Sequence, residues 1–339
     1  MHGPDQMSNR PKVARLRMLA FAAAFALCAF AAPTFAQPDP NQRIGATVAD
    51  APSPHYRFDS FVVSSADGRQ RWRVRLGIPR QRAPTQGFAA LYLLDGNAAL
   101  MEFDAELLAQ LARGRAPVLV FVGYDNDLRI DSAARTRDYT PSAVEDPAGA
   151  GPRGGAEAFA RVLVERIQPQ VRRRARIDRS HEALWGHSLG GLFVLDLLYT
   201  RGDAFAQWFS ASPSLWWDGG RELGEPEQRF LREPLRRPAQ VTILQGGRER
   251  GARAPAKPGD EARAAAQRAR IAAVPADAAR QLASRLQAKP GVTACYREFA
   301  ELGHGPMLRA SVRAAAMALA DPAQACAAES GESAAPMER

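Results

Sequence analysis

Gly186-His187-Ser188-Leu189-Gly190, followed by Gly191, is the stretch that decides the fold of this chain. It has the G-x-S-x-G pattern of a tight turn between a strand and a helix, which holds a serine hydroxyl out from the backbone. An apolar strand candidate, Ala183–Trp185, precedes the turn, and an apolar helix candidate, Leu192–Leu198, follows it. Glycines suit such a turn because side chains at these positions would collide across its strained backbone. This context favours a nucleophilic Ser188 over a serine that only caps a helix.

Outward from the turn, candidate strands and helices alternate along the chain. This order is typical of an α/β fold with a mostly parallel central sheet and helices on both faces. The predicted strands are Arg57–Ser64 and Arg71–Ile78 as an antiparallel edge pair, then Phe88–Leu94, Val118–Val122, the Ala183 strand, one around Phe209, Val241–Leu244 and Val292–Phe299. The predicted helices are Ala98–Ala112, Ala156–Val171, the helix after Ser188, Asp277–Gln287 and Met307–Leu319. A polar loop is predicted over Asp125–Gly155, and a surface insertion or mobile loop, rich in Ala, Arg and Pro, over Gly251–Ala276.

The first 36 residues are typical of a signal peptide. Four basic residues precede an Ala/Phe/Leu run, Met18–Ala32, and small residues lead up to Ala36. The run is short for a membrane span, which needs about 20 residues, so an uncleaved anchor is the less favoured alternative. We predict cleavage after Ala36, a periplasmic location and no stable membrane insertion. The predicted organisation is a signal peptide at 1–36, a flexible segment at 37–54, a catalytic domain at 55–322 with a surface insertion at 251–276, and a tail at 323–339.

Charge and metal-ligand spacing exclude several functions. The chain has a formal net charge of +9, carried almost entirely by arginine, and loss of the first 36 residues, with four basic residues and Asp5, would leave +6. Because no basic stripe is interleaved with aromatic residues, nucleic acid is not an expected partner. Arginine is compatible with an anionic small-molecule substrate, since its guanidinium binds carboxylates and phenolates in a fork. No Cys/His cluster has metal-ligand spacing, so we expect no metal site and no cofactor.

Two cysteines remain in the predicted mature chain. Cys295 lies in a predicted strand, and Cys326 follows the last predicted helix. In an oxidising compartment they would pair and join the C-terminal tail to the core. Two unpaired thiols are the alternative.

A nucleophilic serine needs a histidine as its base. In this architecture the order along the chain is nucleophile, acid, histidine. Of the five histidines, only His304 follows Ser188, in a loop directly after the last predicted strand. His187 lies inside the turn itself, and its side chain is expected to point away from the hydroxyl. His304 is therefore the predicted general base.

The acid is expected in the loop after the Val241 strand. Glu249 is the only carboxylate in that loop, and the arginines on either side leave open a solvated ion pair. Glu301 and Asp260 are alternatives, as is a Ser–His dyad without an acid. The oxyanion donors are predicted to be the backbone N–H of Leu189, which follows the nucleophile, and the N–H of Asn97 in the loop after the Phe88 strand.

Five segments occur in an order that resembles a known family: Tyr92–Asn97, Arg135–Pro141, Gly186–Gly191, Ser212–Trp217 and Gly303–Gly305. Together they resemble the esterase-D-like α/β hydrolases, and most closely the periplasmic siderophore trilactone hydrolases. The likeness covers essentially the whole predicted mature domain. It implies an α/β-hydrolase fold and a serine esterase that cleaves catecholate siderophore esters, so the substrate would be an anionic iron chelate or its iron-free form. Ser188 and His304 match that family's nucleophile and base.

Further residues have two interpretations each. Arg135 would pair with substrate phenolates or carboxylates, or form a structural pair with an aspartate. Trp216 and Trp217 would stack on aromatic acyl groups, or fill the core. Three function classes stay open at this point: an exported esterase, including a general carboxylesterase; an acyltransferase of the same superfamily; and a siderophore-binding protein without catalysis.

Overall fold

The computed structural model of the protein describes residues 41–143, 152–251, 259 and 261–324. The predicted signal peptide, Asp260 and Cys326 lie outside the described residues. The strands within them are β1 (Tyr56–Ser64), β2 (Arg71–Pro79), β3 (Phe88–Leu93), β4 (Val118–Tyr124), β5 (Ile177–His187), β6 (Gln207–Ala211), β7 (Ala239–Gly246) and β8 (Val292–Phe299). The helices are α1 (Gly96–Leu100), α2 (Ala105–Arg113), α3 (Ser132–Tyr139), α4 (Ala156–Arg161), α5 (Gln168–Arg174), α6 (Leu189–Thr200), α7 (Glu225–Arg232), α8 (Glu261–Ala272), α9 (Ala278–Gln287) and α10 (Met307–Ala320).

All eight strands belong to one sheet in the order β1-β2-β4-β3-β5-β6-β7-β8. The edge strands β1 and β2 pair antiparallel with each other, and β2 pairs antiparallel with β4. From β4 to β8 every pairing is parallel. The predicted α/β-hydrolase fold class is confirmed. Because loops at the carboxyl ends of parallel strands meet at one edge of the sheet, residues distant in sequence come together there.

The sheet is covered on both faces, as the continuous apolar runs of its central strands predict. Along β4, Val118, Val120 and Val122 belong to the apolar cluster that also contains residues of α4 to α7 and α9, on one side of the sheet. Leu119 and Phe121, which alternate with them, pack with α1, α2 and α10 on the other. Every residue of β4 is buried. The carboxyl edge, where these loops meet, is therefore part of a sheet that is buried on both faces.

Two predicted helices and one predicted loop differ from the structure. The predicted helix Ala98–Ala112 is two helices, α1 and α2, because the carboxylate of Asp104 accepts a hydrogen bond from the Leu107 N–H (2.7 Å) and starts a new helix. The predicted loop over Asp125–Gly155 contains α3, which begins in the same way at Asp131. The predicted helix Ala156–Val171 extends to Arg174, with a π-helical turn at Val162–Ile167 between α4 and α5.

The predicted insertion at 251–276 and the N-terminal segment also contain ordered structure. Helix α8 occupies much of the former, and none of its residues is buried. In the N-terminal segment, Arg43 forms a bridge with Leu128, and the Ile44 N–H donates to the carbonyl of Asp127 (2.8 Å). In the described parts of the chain, no helix has both the length and the apolar character needed to cross a membrane.

Two carboxyl groups, one in the segment between β6 and α7 and one in α6, are buried. Glu222 is fully buried, with Arg221 Nε 3.3 Å from one carboxyl oxygen, and Asp196 of α6 is also buried. Burial, followed by the nearby Asp196, raises the pKa of Glu222 to about 8. Burial likewise raises the pKa of Asp196 to about 6. Both groups therefore keep their proton to higher pH in the folded protein than an exposed carboxyl group does.

This arrangement predicts a pH dependence of stability. Between the ordinary carboxyl pKa of 4.5 and about 8, the folded protein holds a proton on Glu222 that the unfolded chain has lost. The free energy of unfolding should therefore fall as pH rises through this window. Glu222→Gln, which is uncharged throughout, should flatten that slope in urea titrations at several pH values. Glu225→Gln, at an exposed position of α7, is the matched control and should keep it. Equal slopes in both variants would contradict a buried, protonated Glu222.

Candidate active site

Ser188 lies between β5 and α6 with backbone angles of φ 61° and ψ −117°. A side chain is strained in this conformation, and the surrounding backbone holds it there. The Ser188 N–H donates to the carbonyl of Ala211 (2.9 Å), and the Ser188 carbonyl accepts from the Leu192 N–H (3.0 Å). A Cβ at Gly186 would lie 2.3 Å from the carbonyl oxygen of Gly190, so only glycine fits at that position. The turn thus presents the serine hydroxyl at the carboxyl edge of the sheet.

His304 reaches this hydroxyl from the loop between β8 and α10. Its Nε2 is 3.1 Å from Ser188 Oγ, although 116 residues separate the two positions. This distance is within the range for direct proton transfer between a nucleophile and its base. The imidazole is partly exposed, so a substrate has access to the Ser188–His304 pair.

Glu249, in the turn after β7, contacts the other ring nitrogen of His304. The distance from His304 Nδ1 to Glu249 Oε2 is 2.9 Å. The second carboxyl oxygen, Oε1, accepts hydrogen bonds from the Gly246 N–H (2.8 Å) and the hydroxyl of Ser212. Burial alone would raise the pKa of Glu249, but the hydrogen bonds and the charge of His304 outweigh it, and the pKa lies below its usual value. The carboxylate is therefore ionised at neutral pH.

The other proposed acids lie elsewhere. Glu301 forms an ion pair with Arg248 at the exposed surface, and Asp260 lies outside the described residues. Of the described acids, Glu249 has the hydrogen bond to His304 Nδ1.

His187 packs against the base. The rings of His187 and His304 lie with centroids 4.7 Å apart, and His187 Nε2 is 3.0 Å from the carbonyl oxygen of His304. Burial, and then the neighbouring His304, lower the pKa of His187 well below its ordinary value. The ring is therefore neutral, and its Nε2–H donates to the carbonyl. Through this hydrogen bond His187 supports the loop that carries His304.

The loop after β3 is held by an arginine. Asp95 has a left-handed backbone (φ 48°), and its carboxylate accepts two hydrogen bonds from Arg135, each 2.9 Å. The Asp95 N–H donates to the phenolic oxygen of Tyr139 (3.0 Å). Arg135 also donates to the carbonyl of His187 (3.2 Å), which links this loop to the serine turn. Burial alone would lower the pKa of Arg135, but Asp95 raises it above its usual value, so the guanidinium stays charged. Its fork faces Asp95 in this structure.

Asn97 and Leu189 occupy the first turns of α1 and α6. The Asn97 side chain accepts a hydrogen bond from Arg75 (2.6 Å) and donates to the carbonyls of Asn126 (3.1 Å) and Leu128 (2.8 Å), which fixes its backbone. A Cβ at Gly190 would lie 3.7 Å from the Asp95 carboxylate, so the loop after β3 and the start of α6 are neighbours. Backbone N–H groups in the first turn of a helix have no acceptor within it.

The two tryptophans differ in exposure. Trp217 is buried, and its indole N–H donates to the hydroxyl of Ser142 (3.1 Å). Trp216 is partly exposed, with its ring centroid 5.9 Å from that of Trp217. Trp216 is therefore the tryptophan of the two that has a surface available to a substrate.

Arg137 forms an ion pair with Asp138, whose carboxylate also accepts a hydrogen bond from Trp72 Nε1.

Two further predictions concern the Cys295–Cys326 disulfide and metal ligands. Cys295 lies in β8, and its pairing with Cys326 stays a prediction because Cys326 is not among the described residues. Within residues 41–143, 152–251 and 261–324, no three His, Cys, Asp or Glu side chains converge as metal ligands.

Sequence reasoning missed two serines of the turn after β6. Ser212 donates to Glu249, and Ser214 Oγ lies 3.3 Å from Ser188 Oγ. Both belong to the segment Ser212–Trp217, in which only the tryptophans received a role. The available signal was the position of this segment directly after a predicted central strand, where loops reach the catalytic edge.

The sheet, the strained serine turn and the hydrogen-bonded histidine define the class of this protein: it is a serine hydrolase with the α/β-hydrolase fold. The model of the "Putative esterase" family matches residues 65–285. The chain belongs to this esterase family.

The chain is also similar to individual esterases. The chain is 35% identical over 292 residues to the apo-salmochelin esterase of Escherichia coli O6:H1 (strain CFT073), covering 84% of this chain and 85% of that protein. It is 33% identical over 172 residues to the ferri-bacillibactin esterase BesA of Bacillus subtilis (strain 168), covering 46% of this chain and 58% of that protein. The solved structure of the enterobactin and salmochelin hydrolase IroE aligns with a TM-score of 0.63 at 34% identity, covering 81% of this chain and 99% of that one.

The two interpretations of Arg135 predict different results. Its side chain and that of Asp95 are 12% and 3% exposed, so Arg135→Met leaves a buried carboxylate without its partner. We expect the free energy of unfolding to fall by about 3–5 kcal/mol. The double variant Arg135→Met/Asp95→Asn should recover part of this loss, as measured by urea unfolding. If Arg135→Met has wild-type stability and only raises KM for an anionic ester, Arg135 is a substrate ligand and not a structural one.

Proposed function

We propose that this protein is an exported esterase that hydrolyses ester bonds of a catecholate siderophore through an acyl-enzyme on Ser188. The observation that supports the proposal most is the continuous hydrogen-bonded series from Ser188 Oγ through the His304 imidazole to the Glu249 carboxylate. Its members come from three different loops at the carboxyl edge of one sheet. The names of the relatives, which describe esterases of salmochelin, bacillibactin and enterobactin, support the class of substrate.

In the first half of the proposed reaction, Ser188 Oγ attacks the carbonyl carbon of the ester while His304 Nε2 accepts the hydroxyl proton. The ionised Glu249 carboxylate accepts the Nδ1–H bond and stabilises the imidazolium that forms. When the tetrahedral intermediate collapses, the alcohol oxygen of the substrate leaves with the proton held by His304. The acyl group then remains as an ester on Ser188.

In the second half, a water molecule attacks the acyl carbonyl while His304 again accepts a proton. Collapse of the second intermediate returns this proton to Ser188 Oγ and releases the carboxylic acid. We assign the backbone N–H groups of Leu189 and Asn97 to the developing oxyanion in both halves, because each belongs to the first turn of a helix beside the nucleophile. Each such donor contributes roughly 2.7–4 kcal/mol of transition-state stabilisation.

The substrate assignment also has support in the residues around the site. We propose that Trp216 contacts the catechol rings through its exposed part, while Trp217 supports it from within the core. Arg135 acts on the substrate through the loop that it holds, since its Nε and Nη2 both donate to the Asp95 carboxylate. No cofactor takes part in this mechanism, and any iron in the site belongs to the substrate.

Hydrolysis of a catecholate trilactone by the purified protein tests the proposal. Ring opening should be followed by chromatography, for the iron-free and ferric forms, beside a simple aryl ester. We expect Ser188→Ala to lower kcat by at least about 10³-fold and Glu249→Gln to lower it by roughly 10²–10⁴-fold, because each removes a member of one catalytic unit.

The controls separate the parts of this proposal. Ser284→Ala, on the exposed face of α9, should keep the wild-type rate. A wild-type rate in Glu249→Gln would mean that the enzyme uses a Ser–His dyad. Cleavage of the aryl ester with no cleavage of either trilactone would overturn the siderophore assignment and leave a general esterase.

We also propose that the mature protein begins at Gln37 in the periplasm and carries a Cys295–Cys326 disulfide. The support is the signal-peptide pattern of residues 1–36 and the oxidising character of that compartment. Intact mass measurement of protein recovered from the periplasmic fraction checks both points. The expected mass is that of residues 37–339 without the two thiol hydrogens. A full-length mass, or two thiols that react with an alkylating reagent without reduction, would contradict the corresponding part.

A further inference from the structure

The turn Ser212-Pro213-Ser214 joins β6 to the segment that carries the tryptophans, and the mechanism above gives it no role. Ser212 has a left-handed backbone (φ 44°), which is strained for a residue other than glycine. Its N–H donates to the carbonyl of Leu244 at the end of β7 (2.7 Å). Ser212 and Ser214 are both buried. A strained residue with buried hydroxyl neighbours persists where the surrounding contacts hold it in place.

The turn is packed tightly against the serine elbow. The Ser214 N–H donates to the carbonyl of Ser188 (3.2 Å). A Cβ at Gly191 would lie 2.7 Å from the carbonyl oxygen of Ala211 and 3.2 Å from Pro213 Cα, so glycine is needed for this approach. The backbone of the turn and that of the nucleophile therefore form one rigid unit.

The two hydroxyl groups of the turn reach opposite ends of the catalytic series. Ser212 Oγ–H donates to Glu249 Oε1, and the Gly246 N–H donates to the same oxygen (2.8 Å). With Oε1 held by two donors, Oε2 is left to face His304 Nδ1. The carboxylate therefore has one orientation, in which it accepts the imidazole N–H.

Ser214 acts on the nucleophile. Its Oγ is 3.3 Å from Ser188 Oγ. In the reactive arrangement the Ser188 proton points to His304 Nε2, so Ser188 Oγ has only lone pairs to offer to Ser214. The Ser214 hydroxyl must then be the donor, and its hydrogen bond favours the rotamer of Ser188 whose proton faces the base.

We propose that the Ser212-Pro213-Ser214 turn is a positioning element of the catalytic site, in which Ser212 orients the acid and Ser214 orients the nucleophile. This inference rests on the Ser188–His304–Glu249 mechanism of the proposed function. It assigns the two hydroxyls different effects, because Ser212 contacts the pair that binds the catalytic proton and Ser214 does not.

Loss of the Ser212 hydroxyl removes a donor from an anion. This change raises the pKa of the Glu249 carboxyl, so the coupled acid and base hold a proton up to higher pH. Titratable side chains packed near this pair include His187 and Tyr296. His187 is neutral because its pKa is lowered, Tyr296 is neutral because burial raises its pKa, and Arg135 beyond them stays charged. None of the three changes charge between about pH 6 and 9.

The test is the rate of inactivation by a fluorophosphonate, measured from pH 5 to 9. This reagent reports the reactivity of Ser188 without any siderophore. Ser212→Ala and Ser212→Gly both remove the hydroxyl, but only glycine tolerates φ 44° without strain. Ser214→Ala removes the second hydroxyl, and Ser214→Thr keeps it. Ser210→Ala is the matched control, since Ser210 is a buried serine of β6 that donates to the carbonyl of Gly191 and does not contact the acid, base or nucleophile.

Both Ser212 variants should react about tenfold more slowly, because a hydrogen bond to a charged group is lost. The acid limb of their pH–rate profile should move upward by about half a pH unit or more. Ser214→Ala should react about fivefold more slowly with an unmoved acid limb, and Ser214→Thr should recover most of the rate. Ser210→Ala should keep the wild-type acid limb, whatever its thermal stability.

Two results would overturn this inference, and they are distinguishable. If the wild type fails to react with the fluorophosphonate, the mechanism of the proposed function fails and the inference with it. If the wild type reacts but the Ser212 and Ser214 variants match Ser210→Ala in rate and acid limb, the turn is only structural and the esterase proposal stands.

Discussion

A close backbone approach at the end of β5 is the constraint on which the rest of the site depends. Ser188 presents its hydroxyl only because the chain reverses sharply between a buried strand and a buried helix, at φ 61° and ψ −117°. Gly186 permits this reversal, since any Cβ there would collide with the carbonyl of Gly190. Gly191 permits the turn after β6 to lie against the elbow. Bulky residues at these two positions would therefore displace the nucleophile from its base.

The electrostatics of the site follow from pairing of its buried charges. Arg135 is compensated by Asp95, and the Glu249 carboxylate accepts donors from Ser212, Gly246 and His304. His187, whose ring donates to the carbonyl of His304, is neutral because burial lowers its pKa. Since each buried charge has a compensating group, these side chains keep their orientation without substrate. Such preorganisation is the main source of catalytic power in sites that stabilise a developing oxyanion.

Several parts of the fold and site were predictable from local pattern. Continuous apolar runs predicted the central strands, because strands covered on both faces have no polar side. At the edge of the sheet, Val292–Phe299 forms β8 with the predicted bounds. The turn around Ser188 carries its own signal in its glycines. His304 and Glu249 were predicted from the order of nucleophile, acid and base along the chain. In the structure His304 lies within hydrogen-bond distance of both Ser188 and Glu249. The helix α3 was missed because its sequence is polar with few buried positions.

The sequence by itself determined the α/β fold class, the nucleophile turn and the family. Strand periodicity, glycine spacing and the order of motifs, on which these predictions rest, can all be read along the chain. Only the tertiary structure decided which of two partners each polar group takes. Arg135 faces Asp95, His187 donates to the loop of the base, and Ser212 contacts Glu249. These contacts span 37 to 117 residues. Hydrogen bonds depend on distances of a few tenths of an ångström, which are set by how the strands and helices pack and not by the order of residues along the chain.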